Sequence, residues 1–157
     1  MKNFYIVLLA FFLIPICSPG QDFIEVNGKT LDKNGDLLNG KFFAYDDNGV
    51  LEHVYNYKDG LKEGEFISYY TNGKMLERGF YTRGLKDGIW IRWSQDGNKT
   101  GEITFNQGQR DGKWQIWNDE GILKFVMYYK NGNKVGTWEV YDDKGNLVQK
   151  ENYGESL

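Results

Sequence analysis

Between residues 39 and 153, aromatic and aliphatic side chains alternate with polar ones in short runs, and the runs end at glycine-bearing turns. Glu65–Tyr70 is followed by Thr71-Asn72-Gly73, and Lys74–Thr82 by Arg83-Gly84. Runs rich in aromatic and β-branched residues predict strands. Asn-Gly between two of them predicts a tight hairpin, because both positions tolerate positive φ. Nothing in this region is long or periodic enough for a helix.

The pattern returns every 24 residues. Gly40, Gly64, Gly88, Gly112 and Gly136 form one glycine column, Gly49, Gly73, Gly97, Gly121 and Gly145 a second, and Gly60, Gly84, Gly108 and Gly132 a third. Three aromatic columns keep step: Phe42, Phe66, Trp90, Trp114, Trp138; Tyr45, Tyr69, Trp93, Trp117, Tyr141; and Tyr57, Tyr81, Phe105, Tyr129, Tyr153. A fixed period of this size marks a repeat architecture whose units complete one another. Connections this short force neighbouring strands to be antiparallel. The expected fold is therefore all-β: an elongated antiparallel meander of five two-strand units over residues 39–153. Residues 21–38 read as a capping half-unit, because Asn27-Gly28-Lys29 echoes Asn72-Gly73-Lys74, and residues 154–157 as a tail.

Two local expectations follow. Lys99 stands in the column of Leu51, Met75, Leu123 and Leu147, with Gly101 close behind, so the sheet is expected to loosen near residues 98–103. An open meander also leaves two edges, expected near residues 23–31 and 146–153. The short apolar segment Phe23–Val26 is the one expected to recruit a further strand.

The first 20 residues differ from the rest. Phe4 to Ile16 is apolar apart from the Tyr5 hydroxyl, too short for the roughly 20 residues of a membrane-crossing helix but suited to a secretory leader. Ser18 and Gly20 place a cleavage site before Gln21, so residues 1–20 are expected to be a signal peptide and the protein secreted, periplasmic or in the cell envelope. Cys17, the only cysteine, stands where a bacterial lipoprotein carries its acylated residue. Ile16 fills the position that should be small, which favours cleavage after Gly20. The chain after the leader keeps 18 Lys+Arg against 22 Asp+Glu. That acidity argues against a nucleic-acid partner, and the leader leaves no integral membrane span in the mature chain.

The motif aromatic-x-x-Gly-x-x-x-Gly-x-aromatic occurs as Tyr57…Gly60…Gly64…Phe66, Tyr81…Gly84…Gly88…Trp90, Phe105…Gly108…Gly112…Trp114 and Tyr129…Gly132…Gly136…Trp138. Over residues 39–153 this resembles the MORN repeat, in the bacterial variant form with a further Asn-Gly or Asp-Gly turn in each unit. The resemblance implies an extended sheet used as an interaction or scaffold module, with no catalytic residues to carry over. Some bacterial members are labelled antitoxin components, which makes that a further functional alternative.

Candidate chemistry is sparse. His53 is the only histidine, and its column continues as Glu77, Gly101, Phe125 and Gln149, so it is expected to be a strand surface residue. The acidic turns Asp46-Asp47-Asn48-Gly49 and Asp142-Asp143-Lys144-Gly145 lack the ligand spacing of a calcium loop. No cofactor, metal or catalytic group is expected. Lys62, Lys86, Arg110 and Lys134 form a basic line, followed directly by Glu63, Asp87 and Asp111, and are expected to be locally neutralised in solvated turns. The column Tyr45, Tyr69, Trp93, Trp117 and Tyr141 is the candidate binding surface, for a protein first and a glycan second. Most of that column is expected to pack against a neighbouring layer, because exposed tryptophans are costly.

Overall fold

A computed structural model describes residues 23–154; the expected signal peptide, Cys17 and the tail beyond Gly154 lie outside these residues. The strands are β1 (Ile24–Val26), β2 (Lys29–Leu31), β3 (Gly40–Tyr45), β4 (Leu51–Lys58), β5 (Leu61–Lys62), β6 (Gly64–Tyr69), β7 (Met75–Thr82), β8 (Leu85–Trp93), β9 (Lys99–Asn106), β10 (Gln109–Arg110), β11 (Gly112–Trp117), β12 (Leu123–Lys130), β13 (Asn133–Tyr141) and β14 (Leu147–Asn152). One antiparallel sheet holds twelve of them, in the order β14-β13-β12-β11-β9-β8-β7-β6-β4-β3, with β5 pairing β4 and β10 pairing β9. Among the described residues the main contacts between elements run between sheet neighbours, so these residues form a single layer.

The N-terminal edge differs from the expectation. The edge strand of the sheet is β3, and residues 24–31 form a separate hairpin, β1 with β2. That hairpin is tied on by Thr30 N–H donating to Gly60 O at 2.8 Å, while the Phe23 ring lies edge-on to Phe42 at 5.4 Å.

The glycine columns build two kinds of turn. At Gly49, Gly73, Gly97, Gly121 and Gly145 the glycine alone has positive φ, and its N–H closes onto the carbonyl three residues back, as from Gly73 to Tyr70 at 2.9 Å. The preceding residue, Asn72 in the second repeat, does not share that conformation. Paired positive φ belongs to the third column: Asp59-Gly60 (51° and 76°), Arg83-Gly84 (50° and 82°), Gln107-Gly108 (46° and 81°) and Asn131-Gly132 (49° and 82°). Arg83 and Gln107 are poor choices for such a conformation on local grounds. Bonds to the preceding repeat hold them there.

Those bonds recur in every repeat junction. The third-column glycine N–H donates to the carbonyl of the residue 22 positions earlier: Gly60 to Leu38, Gly84 to Lys62, Gly108 to Lys86 and Gly132 to Arg110, at 2.8–2.9 Å. Beside it, the N–H of the preceding residue donates to a side chain: Asp59 to Asn39, Arg83 to Glu63, Gln107 to Asp87 and Asn131 to Asp111. The acids behind the basic line therefore clamp the next repeat's turn. They are not there to neutralise their lysine neighbours.

Register divides the side chains into two faces. Pairs such as Gly40↔Tyr57, Phe42↔Tyr55 and Ala44↔His53 put the first and third aromatic columns together, with the basic column beside them through Tyr57↔Lys62 and Tyr81↔Lys86. The second aromatic column lies on the opposite face, as in Tyr45↔Leu51 and Trp93↔Lys99. A one-residue bulge recurs at the same place in all five repeats, between Ala44/Tyr45, Ser68/Tyr69, Arg92/Trp93, Ile116/Trp117 and Val140/Tyr141.

The expected loosening at residues 98–103 is absent. β9 is continuous, with the bulge its fellows have. Lys99 reaches Glu102 at 2.8 Å and covers the Trp117 ring at 4.4 Å. Its stem and charge both find partners, so the missing leucine costs little. Gly79 proves the more demanding glycine. Trp90 is fully buried, and a Cβ on Gly79 would lie 2.2 Å from its ring, whereas one on Gly101 would meet Arg92 at an ordinary 3.5 Å. Gly79→Ala should therefore cost about 1–3 kcal/mol by overpacking, and Gly101→Ala less than about 0.5 kcal/mol. Urea unfolding checks this; equal effects would show that Trp90 does not lie on Gly79.

Candidate functional site

On one face the rings of the first and third columns form an unbroken ladder. Successive centroids run from Phe42–Tyr57 (5.6 Å) through Tyr55–Phe66 (5.0 Å), Phe66–Trp90 (5.4 Å), Trp90–Phe105 (6.3 Å) and Trp114–Tyr129 (5.0 Å) to Trp138–Tyr153 (4.8 Å). Tyr57–Tyr55, Phe105–Trp114 and Tyr129–Trp138 supply the intervening steps. Three of its tryptophans donate the indole N–H to the carbonyl ten residues back: Trp90 to Phe80, Trp114 to Thr104 and Trp138 to Tyr128. A buried indole thus keeps its polar group satisfied while its rings stack.

The basic column lies on this ladder and not in solvated turns. Lys62 Nζ is 4.4 Å from the Tyr55 centroid and Lys86 Nζ 3.7 Å from Trp90. Arg110 is 5.1 Å from both Trp114 and Tyr129, and Lys134 is 4.3 Å from Trp138. Cations at these distances gain about 0.5–2 kcal/mol each from the ring faces, more as water is removed. Burial pushes the Lys62 and Lys86 ammonium groups below the usual lysine value.

His53 is also displaced from its expected place. It is half-buried on the ladder face, 5.6 Å from Tyr55 and stacked at 5.8 Å on Phe66, with its Nδ1 buried and unpartnered. Desolvation holds its pKa below the ordinary histidine value. The Asp46 and Asp142 carboxylates accept backbone N–H groups from Asn48 and Val50, and from Lys144 and Asn146, which accounts for both acidic turns.

The candidate column Tyr45, Tyr69, Trp93, Trp117 and Tyr141 is collected on one face, and among the described residues no second layer covers it. Each ring is half-buried by its neighbours within the sheet. Tyr141 donates its hydroxyl to Glu139 at 2.7 Å.

A less visible pattern runs between the ladder and this column. Across the opposite face one row reads Phe43, Val54, Ile67, Arg78, Ile91, then Glu102, Gln115, Val126, Glu139, Lys150. The matching row on the ladder face reads Ala44, His53, Ser68, Glu77, Arg92, then Gly101, Ile116, Phe125, Val140, Gln149. The apolar side changes face at the middle of the sheet. Phe80 and Ile89 are 46% and 53% exposed on the opposite face of the N-terminal half, and Phe125 is 39% exposed on the ladder face of the C-terminal half.

A family model described as MORN repeat variant matches residues 38–59, 62–82, 110–131 and 134–154, more than half of the chain. The stretch between the second and third matches contains β8 and β9, the repeat in which Lys99 and Gly101 depart from their columns. No curated protein matches the chain. Among the described residues, no helix is long and apolar enough to cross a membrane.

The ladder also sets an alkaline limit. Burial raises the Tyr55 phenol well above the usual tyrosine value and that of Tyr81 to about 12. Unfolded tyrosines ionise near 10, so the stability held by the neutral phenols is complete below about pH 10 and lost as pH rises toward about 12. The lowered Lys62 and Lys86 act in the opposite sense, adding stability as pH rises through their folded values toward 10.5. Tyrosinate absorbance should therefore lag that of free tyrosine and then rise together with the loss of far-ultraviolet circular dichroism. Titration of all tyrosines near pH 10 in a folded chain would contradict the ladder.

Proposed function

The chain belongs to the MORN repeat variant family, and we propose that it is an exported, non-catalytic scaffold that holds a protein partner on its sheet. The observation that carries this reading is the exposed apolar surface of a one-layer sheet. A sheet normally covers its apolar face with a second layer. Here Phe125, 39% exposed, stands with the half-buried Ile116 and Val140 on the ladder face with no second layer among the described residues, and the cations Arg110 and Lys134 lie on the same face over the rings. That combination suits a protein surface with apolar knobs and an acidic rim. Export rests on the leader expected over residues 1–20.

A photo-reactive phenylalanine analogue at Phe125, introduced in the producing cell, tests the reading. It should give a discrete protein adduct in the envelope or secreted fraction, and Phe125→Asp should remove the partner without unfolding the repeats. No protein adduct, together with Trp117-dependent binding on a glycan array, would replace it with a carbohydrate-binding function. Recovery of the protein solely from the cytosol would overturn export.

A further inference from the structure

We propose that the protein self-associates into a two-fold dimer through the N-terminal half of the face opposite the ladder. This goes beyond the scaffold reading, because it uses a different half and a different face from the partner surface around Phe125.

The first argument is composition. Ile67 and Ile91 lie in the row of this half with Arg78 between them, its guanidinium held by Glu65, and Phe80 and Ile89 project beside them, both about half exposed. At the far end of the same strands the face continues with Tyr69 and Trp93. In the C-terminal half the same row turns to Glu102, Gln115, Glu139 and Lys150, so the patch is bounded.

Symmetry and charge select a second copy as the occupant. The five strands β3, β4, β6, β7 and β8 place β6 at the centre, and Ile67 of β6 would lie on the two-fold axis, facing its own copy. An isologous interface requires such self-complementarity. The charges around the patch are already balanced: Glu65 pairs with Arg78 at 2.7 Å and Lys99 with Glu102 at 2.8 Å, so no single sign is opposed across the axis. The ladder face could not pair with itself in this way. Its cations Lys62, Lys86, Arg110 and Lys134 form a line in which, among the described residues, Lys86 alone has an acidic partner, Glu77 at 3.8 Å, so a second copy would set mostly like charges against each other.

The size is sufficient. Five strands at about 4.8 Å, each about 20 Å long, give a footprint of about 480 Å² per copy. Two footprints make about 960 Å², the low end of specific interfaces, which fits a weak dimer forming at micromolar concentration. Two aligned sheets packed about 10 Å apart would then form the sandwich that one chain lacks.

Sedimentation equilibrium of the purified protein, at about 1–100 μM, reads the proposal directly. The wild type should reach the mass of two chains. Ile89→Glu and Phe80→Glu, both at exposed positions, should raise the dimer dissociation constant about 10-fold or more. Phe125→Glu, on the other face and in the other half, should leave it within about 2-fold, as should Val148→Lys on the β14 edge. Far-ultraviolet circular dichroism checks that each variant is folded; because Ile89 is more than half exposed, it serves if Phe80→Glu fails. A wild type that stays monomeric at about 100 μM overturns the proposal. So does a dimer that Ile89→Glu leaves intact while Phe125→Glu or Val148→Lys dissociates it, which would move the interface to the ladder face or the sheet edge. A monomeric wild type leaves the adduct test at Phe125 unaffected, whereas a dimer dissociated by Phe125→Glu would make the expected adduct a second copy of this chain.

Discussion

Among the described residues the sheet has no second layer and must find its burial sideways, and this constraint governs its packing. Burial can come only from side chains leaning on their neighbours in adjacent strands. Large flat rings meet that need better than aliphatic groups, because one ring spans the distance between strands and still touches the next. The ladder from Phe42 to Tyr153 is the result, and the cations of the basic column close its outer surface with their stems and charges. Trp90 shows the limit of the arrangement: it disappears from solvent with Gly79 beneath it and Lys86 above it.

Rings alone would not fix the register of one repeat on another. The paired turn bonds do that, one to a backbone carbonyl and one to an acidic or amide side chain of the previous unit. They explain where the array begins and ends. At the start, Leu38 stands in the basic column and Asn39 in the acidic one, so the first turn of this kind receives both bonds from the junction between the capping segment and the first repeat. At the end, Val135 stands where the acid should be and offers no side-chain acceptor for a further turn. Leu38 is also buried, at 3% exposure, where its successors carry charge. Its backbone is held between Thr30 of the N-terminal hairpin and Gly60 of the first repeat.

Much of this was legible in the 24-residue period. The glycine columns located the turns, the aromatic columns implied lateral stacking, and their spacing implied an antiparallel meander. What sequence alone could not supply was which columns meet. Tyr45 and Phe42 are equally aromatic and equally periodic, yet only register, with its recurrent bulge, puts one in the ladder and the other on the opposite face. The same limit explains His53, whose environment is set by Tyr55 and Phe66 across the fold, and Lys62, whose neighbours in sequence are acidic but whose neighbours in space are rings. Gly79 lies off the glycine columns and was unremarkable until Trp90 was placed over it. The change of apolar face did leave a trace. Apolar residues at 54, 67 and 91 give way to apolar residues at 116, 125 and 140, a one-position shift of phase that becomes visible only once the two strands of each unit are paired.

The central claim is that each turn is held by the repeat before it. Amide hydrogen exchange measures this directly, because exposed hairpin tips normally open and exchange far faster than strand interiors. The amides of Gly84, Gly108 and Gly132, together with Gln107 and Asn131, should exchange as slowly as those in the middle of β8 and β9. Exchange of these tip amides at the rate of an unprotected turn, while the strands remain protected, would contradict the account.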